Sequence, residues 1–470
     1  MPNTTTGYAP APAPPRRRSF AGAVVLIAIG VVFLLGNMHV ITWQSLWRSF
    51  AHYWPVLLIL YGVVKLIEYF QTRSENRQFS GVGAGGVVLV IFIIICGLTI
   101  SGIERMRGQI NWNEINGDVD FDNNGFGAFL GNLYTYDQEI QQDFPAGASL
   151  KVVSDRGSVT VTAWDQNKVR VQVNKKVRAD SQDEANKVNQ ATQAQITVAG
   201  QEVTVSANLR SASKPVESDL QIFVPKKAAV IVDTRRGDVV ITDRTGNVKV
   251  SNSSGDVNLA NITGNADVTI RPGKGSFKAA NVTGDVTLDG RIEDTSIADV
   301  GGNVRMTGDY FGDMNIAKVA KEVTFKTSRT DLQFAKLEGN MSIESGDLHA
   351  TSVVGPMRLA TRSKDIQLDN VSGDMNIENS NGSVTVDVAK APLGQISIDN
   401  SKGDVSLTLP PKANFEYQVK TRRGQISSDF GSVNSSGGEG ESVANGSVGN
   451  GGPKVVINSE YGDVSIRKAT

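Results

Sequence analysis

Cysteine is nearly absent from this 470-residue chain: Cys96 is the only one, and it sits in an apolar run. A single thiol excludes a disulfide framework. Histidine is almost as scarce, with His39, His52 and His349 scattered along the chain. No H-E-x-x-H, no Cys/His metal spacing and no Ser/His/Asp set stands in the sequence, so no catalytic residue, cofactor or metal is implied. The formal net charge is −1, which removes the electrostatic case for a nucleic-acid partner. Aromatic residues make up only 7%, fitting a chain built from many short strands and corners.

What the chain has in abundance is glycine, 48 of them. From Gly237 to Leu407 a phrase of about nine residues recurs: a turn ending in Gly, then Asp, Asn or Ser, then apolar–polar–apolar. Examples are Gly237-Asp238-Val239-Val240-Ile241, Gly255-Asp256-Val257-Asn258-Leu259, Gly284-Asp285-Val286-Thr287-Leu288 and Gly403-Asp404-Val405-Ser406-Leu407. Alternation places the apolar residues on one face of a short strand and the polar one on the other. The glycine accepts the backbone angle of a tight corner, and the neighbouring Asp or Asn can bind nearby backbone N–H groups. A short fixed period is the mark of a solenoid.

The nines alternate between two kinds. One has a polar corner, as at Thr234-Arg235-Arg236, Asn252-Ser253-Ser254, Thr327-Ser328-Arg329 and Asn400-Ser401-Lys402. The other carries an apolar residue before the glycine position: Ile262, Val282, Val300, Val319, Leu337, Val353 and Val371. The expected fold is therefore a parallel β-helix of about eighteen residues per coil, with two strands per coil and two unlike edges. Met357 and Met375 should stack, with Ile396 continuing their row, and Leu348, Ile366 and Val384 should form the opposite row. The calcium β-roll phrase places Gly and Asp differently, and Asn247, Ser276 and Asn303 replace the Asp in several coils. A structural corner is expected rather than a calcium ligand. At Arg236-Gly237-Asp238 the repeat already demands the last two residues, so the tripeptide is no adhesion motif by itself.

The N-terminal part reads differently. Residues 1–19 form a Pro- and Ala-rich disordered tail ending in Arg16-Arg17-Arg18. A transmembrane region follows over 20–103, with helices expected at about 20–38, 54–70 and 83–103. The basic residues Arg16–Arg18, Arg73 and Arg77 place one side in the cytoplasm, so three spans put the rest of the chain outside it. If the middle segment is only re-entrant, the soluble part lies inside instead. Residues 104–148 read as a linker, 149–224 as an N-terminal β part with a short helix between Ala179 and Ala194, and 225–470 as the solenoid. Gly/Ser/Asn-rich residues 431–452 are expected to be a flexible loop.

Two resemblances rest on these residues. The repeated Gly-Asp-Val phrase, with Ala163-Trp164-Asp165 and the Pro225-Lys226 and Pro411-Lys412 entries leading to Thr-Arg-Arg-Gly, resembles the bacterial "putative adhesin" toast-rack domain family of unknown function, over about 149–467. Gly30-Val31-Val32-Phe33-Leu34-Leu35-Gly36-Asn37 and Trp54-Pro55-Val56-Leu57-Leu58-Ile59-Leu60-Tyr61-Gly62 resemble the membrane region of Lia-type envelope-stress proteins. The first resemblance implies an all-β domain without catalytic residues. Together they imply an anchor in the bacterial cytoplasmic membrane, multi-pass, and a soluble domain serving as an adhesin or an envelope-binding or structural module. A regulator of an envelope stress response, acting through its membrane segment on a signalling partner, is the alternative. A polysaccharide-active enzyme is a second alternative, which clustered carboxylates on one face would favour. The expected partners are the lipid bilayer and an anionic envelope polymer. The surface that could meet that polymer is a ladder of cations at the polar corners, Arg236, Lys274, Arg329, Lys364, Lys402 and Arg423; the alternative, which screening of exposed charges favours, is a solvated edge whose cations are offset by Asp238, Asp331, Asp365 and Asp404.

Overall fold

Short strands with one apolar face are stable only when that face is covered, and here each strand is covered by a second sheet of the same chain. The computed structural model describes residues 131–207, 212, 214–430 and 440–470, together with Val56 and Ile59. Almost all of it is strand. One sheet stacks Leu150, Val230, Val248, Ala266, Val286, Val304 and Val323 in parallel register. The other stacks Val159, Val239, Val257, Phe277, Thr295 and Met314. Partners are mostly 18 to 20 residues apart, so the chain alternates between the two sheets. Their inward faces form one continuous buried core of Val, Ile, Leu, Met and Phe. Burying each such side chain is worth roughly 1.5–3 kcal/mol. Met357 pairs with Met375 and Met375 with Ile396, while Leu348, Ile366 and Val384 pair in the other sheet.

The aliphatic edge has its own device. Asp243, Asn261, Asn281, Asp299, Lys318, Ser352 and Asn370 all hold φ between 52° and 58°. Each precedes a member of the edge row, from Arg244 and Ile262 to Val353 and Val371. Asn and Asp tolerate this left-handed angle better than other side chains. They also stack: Asn261 Nδ2 donates to Asp243 Oδ1 at 2.8 Å, and Asn281 Nδ2 to Asn261 Oδ1 at 3.0 Å. The row begins with a charge rather than an aliphatic residue. Arg244 is fully buried and donates to the carbonyls of Val224, Pro225 and Ala228. Burial lowers its pKa to about 10.

At the N-terminal end, strand Asn132–Asp143 runs antiparallel to Lys168–Ala179. It lies within residues expected to be a linker, so the folded part starts earlier; its alternation is visible only in Tyr134, Tyr136, Gln138 and Ile140. Helix α1, Gln182–Ala191, is capped by the Ser181 side chain, which accepts from the Glu184 N–H. Lys175 is buried beneath it and donates to Asn189 Oδ1 at 3.0 Å and to the Thr192 carbonyl at 2.6 Å, holding the helix C-terminus. Burial lowers its pKa to about 8.

Two further expectations are corrected. Part of the loop expected over 431–452 is strand: Ser442–Val448 pairs antiparallel with Phe415–Arg423, and 431–439 lie outside the described residues. The stack is also not uniformly parallel. Strand Thr330–Ile343 runs backwards through the middle of it. Its first half pairs antiparallel with Val323–Lys326 and Val353–Thr361, in one sheet. Its second half pairs antiparallel with Met314–Val319 and Asp347–Thr351, in the other. One coil is thus traversed in reverse, with a hairpin turn at each end. Leu337 still sits in the aliphatic edge, paired with Val319 and Val353.

Candidate binding site

The Gly-Asp corners explain why the polar edge is regular everywhere except at the reversed coil. Gly237 holds φ at 131°, and a Cβ there would lie 2.1 Å from the Gly157 carbonyl oxygen, so only glycine fits. The adjacent carboxylate or amide reaches along the stack. Asp238 Oδ1 accepts the Asp256 N–H at 2.9 Å, and Asp256 Oδ1 accepts that of Ser276 at 2.8 Å. A second column runs Asn247, Asn265, Asp285 and Asn303, each accepting the N–H of the corresponding residue one coil on. Each corner acid or amide thus satisfies a backbone donor that the turn would leave open. Only an acceptor oxygen is needed, which is why Asn substitutes for Asp. Among the described residues no group of three His, Cys, Asp or Glu side chains could hold a metal ion.

Where the coil reverses, the corner is left open. Upstream, residues 311–313 cross from one sheet to the other; downstream, 362–364 do. Between them the chain turns back twice instead of crossing. The first hairpin is closed by Thr327 N–H to the Thr330 carbonyl at 2.8 Å, the second by Glu344 N–H to the Asp347 carbonyl at 3.0 Å. The result is a cleft of about 870 Å³ between these turns and the two flanking crossings. Its floor is apolar and aromatic: Met314, Ile343, and Tyr310 edge-on to Phe325 at 5.1 Å. Phe311 stands at the rim, 61% exposed. Arg329, Arg362 and Lys364 supply the positive charge.

Next to this cleft a polar trough of about 1140 Å³ crosses six strand ends. Thr330, Thr361, Asn379, Asn400, Ser459 and Thr421 follow one another along it in strand order. Asn379 Nδ2 donates to the Lys364 and Gly382 carbonyls, and Asn400 Nδ2 to those of Gly382 and Gly403. Both Oδ1 atoms are buried without a partner. Arg329 and Arg362 line both depressions.

The ladder expected from sequence divides into three groups. Arg236 and Lys274 lie on upstream corners, and Lys274 is ion-paired with Glu293. Arg329 and Lys364 meet at the open corner. Lys402 and Arg423 flank Tyr461 on neighbouring strands, with Arg423 over its ring at 5.4 Å. Lys364 donates to the carbonyls of Glu344 and Ser345; burial lowers its pKa, opposed by Asp347 and Glu344. Burial pushes the Tyr310 phenol up, and Asp289 adds to this, so it stays protonated. Arg362 and Phe311 were outside that ladder although both stand at corners: Arg362 is in line with Ser380, and Phe311 precedes Gly312 as Arg236 precedes Gly237, an aromatic where the ladder has cations.

The structure also gathers carboxylates that the sequence shows only as scattered. Asp331, Glu378, Asp399, Glu441 and Glu460 all line the trough, and Glu378 is in register with Asp399 on the next strand. Both of these are exposed. On the outer face of the other sheet, His349 Nε2 lies 2.8 Å from Asp369 Oδ2. Ser342 is opposite His349 in register, but no hydrogen bond joins them.

With this geometry described, comparison with known proteins is direct. Residues 148–467 match the family described as Toastrack DUF4097. The chain belongs to the toast-rack DUF4097 family. Ahead of the toast-rack domain, residues 20–66 match the LiaI-LiaF-like transmembrane region, which points to membrane association. Among the described residues no helix is long and apolar enough to cross a membrane. The spans expected at 20–38, 54–70 and 83–103 lie outside the described residues, apart from Val56 and Ile59, which are helical. Two solved structures are similar. One is a "putative cell adhesion protein" from Clostridium sporogenes, 11% identical, covering 71% of this chain and 100% of its own, with a TM-score of 0.16. The other is a "putative adhesin" from Bacteroides fragilis, 12% identical, covering 72% and 97%, with a TM-score of 0.15. No curated relative matches.

Proposed function

We propose that this chain is a membrane-anchored β-solenoid of two-strand coils, displayed outside the cytoplasm, that binds an extended envelope polymer without catalysing its turnover. The observation that carries the proposal is the trough. It runs along the stack, so the same kinds of side chain recur at each strand end. Five strand steps of roughly 4.8 Å give it a length of about 24 Å, suited to a linear ligand rather than a small metabolite. The family assignment supports a toast-rack display module, and the match at 20–66 supports the anchor. The multi-pass arrangement, with the toast-rack domain outside, rests on the charge bias at Arg16–Arg18, Arg73 and Arg77.

The non-catalytic part rests on the surroundings of Glu378 and Asp399. Both are exposed at the trough, whereas a catalytic carboxyl pair is set in unlike, partly enclosed surroundings. The test is co-sedimentation of the detergent-solubilised full chain with insoluble cell-envelope polymer. Saturable retention without release of soluble fragments is expected. Absence of retention would end the binding reading. Fragment release that is lost in Glu378→Gln would make the chain an enzyme.

A second reading has one specific observation behind it, the match of residues 20–66 to the LiaI-LiaF-like region. There the chain would regulate an envelope stress response through its membrane segment. A chain truncated after residue 103 that kept full regulatory output would favour that reading, because it lacks the whole trough.

A further inference from the structure

The open corner offers something that the regular corners do not. Thr330 and Thr361 are antiparallel partners, their hydroxyls 3.4 Å apart. Arg329, in the hairpin turn, and Arg362, at the start of the crossing, each adjoin one member of this pair, and both line the cleft and the trough. Both are exposed, and among the described residues neither guanidinium has a hydrogen-bond or ion-pair partner. Like charges gathered at one corner without counter-ions are unfavourable. The other cations around the cleft are engaged, while Arg422 lies further along the trough. Arg271 pairs with Asp289 at 2.9 Å, Lys326 lies 3.9 Å from Asp331, Arg291 covers the Phe311 ring at 5.6 Å, and Lys364 is bonded to two carbonyls. Two unpaired guanidiniums, at the mouth of a cleft with an aromatic floor, lack an anion.

We infer that the open corner is a ligand site in which Arg329 and Arg362 together hold an oxyanion group of an acidic saccharide, whose ring lies against Phe311. This rests on the polymer-binding reading and names the ligand's chemistry. A guanidinium binds carboxylate or phosphate through paired N–H donors, and two of them give a planar, directional seat. The exposed Phe311 ring presents an apolar face beside that seat, for the flat C–H face of a sugar. The reversed coil opens the site: at regular corners such as Gly237 and Gly255 one crossing packs directly on the next. The trough continues from the same two arginines, so a polymer anchored by one acidic group at the corner would extend along it.

The full chain in detergent is titrated with three probes of matched length: an oligogalacturonate, a phosphodiester-linked sugar-alcohol oligomer and a neutral cello-oligosaccharide. The two acidic probes distinguish a carboxylate from a phosphate source, and tight binding of either supports the site. The neutral probe should bind at least about tenfold more weakly. The double variant Arg329→Gln/Arg362→Gln should lose about tenfold or more for the acidic probes, and Phe311→Ser should weaken them several-fold. Binding unchanged in the double variant, or equal binding of the neutral probe, would overturn the site. If the whole envelope polymer is retained while both acidic probes fail, the site is wrong and the binding module stands. If nothing binds, both fall. A ligand-free measurement guards against misfolding: Arg362→Gln should raise the melting temperature slightly at low salt by relieving the like-charge repulsion. A lowered melting temperature would reveal a structural partner for Arg362 and overturn the inference.

Discussion

Asp285 gives the sharpest test of why the corners are built as they are. Its Oδ1 accepts the backbone N–H of Asn303 at 2.7 Å and Asn303 Nδ2 at 3.1 Å, one coil on. Asp285→Ala removes both bonds and leaves the backbone donor of Asn303 without its acceptor. Hydrogen bonds to a charged group are worth about 1.5–3 kcal/mol when shielded. Asn303 is only partly buried, so water recovers some of this, and the expected loss is about 2 kcal/mol. For a folded part of this size that is a fall in melting temperature of about 3 °C. Amide exchange should accelerate locally at residues 302–304. Asp285→Asn keeps the acceptor oxygen and should retain most of the stability, as the native Asn265 and Asn303 do at the same position of their coils. If the carboxylate were a calcium ligand instead, Asn would be as damaging as Ala, and added calcium would raise the wild-type melting temperature by many degrees. Equal loss in both variants, or a large calcium effect, would refute the hydrogen-bonded corner.

Met375 is buried between Met357 and Ile396, so Met375→Asp should cost several kcal/mol, of order 4, while outward Asn376→Asp should cost under about 1; urea titration of both distinguishes them, and similar costs would mean the facing is wrong. The buried Lys175 should make stability depend on alkaline pH. Its folded pKa of about 8 lies below the ordinary value of 10.5, so between these values the unfolded chain binds more protons and stability rises with pH, by on the order of 3 kcal/mol in total. Melting curves from pH 7.5 to 10.5 should show this rise in the wild type and not in Lys175→Met; a parallel response in both would show that the group is not the source.

The period of the chain was readable because it is a spacing of apolar residues, and spacing survives packing. Met357, Met375 and Ile396 lie where the eighteen-residue interval puts them. Direction is another matter. Leu332 and Met341 keep the nine-residue spacing inside a strand that runs backwards, since alternation reads the same both ways. The corners do not betray the reversal either: Thr330-Asp331 lacks a glycine before its aspartate, but so does the regular crossing at Lys364-Asp365, and the second hairpin carries Gly346-Asp347. The left-handed column Asp243, Asn261 and Asn281 was visible as a recurring Asn or Asp before the aliphatic row. The candidate site was legible in part. Arg329 and Lys364 fall on repeated corners, but Arg362 and Phe311 become part of a site only when the reversed coil leaves the corner open.

The claim on which the rest depends is that the toast-rack domain lies outside the cytoplasm, and a thiol-accessibility measurement tests it most directly. Cys96 is the single native thiol, so Cys96→Ala removes all background. Gln201→Cys then places one cysteine on an exposed turn of the folded part. Intact spheroplasts treated with a membrane-impermeant maleimide should label at position 201 as fully as lysed ones. Labelling that appears only after lysis would put the domain in the cytoplasm and contradict the account.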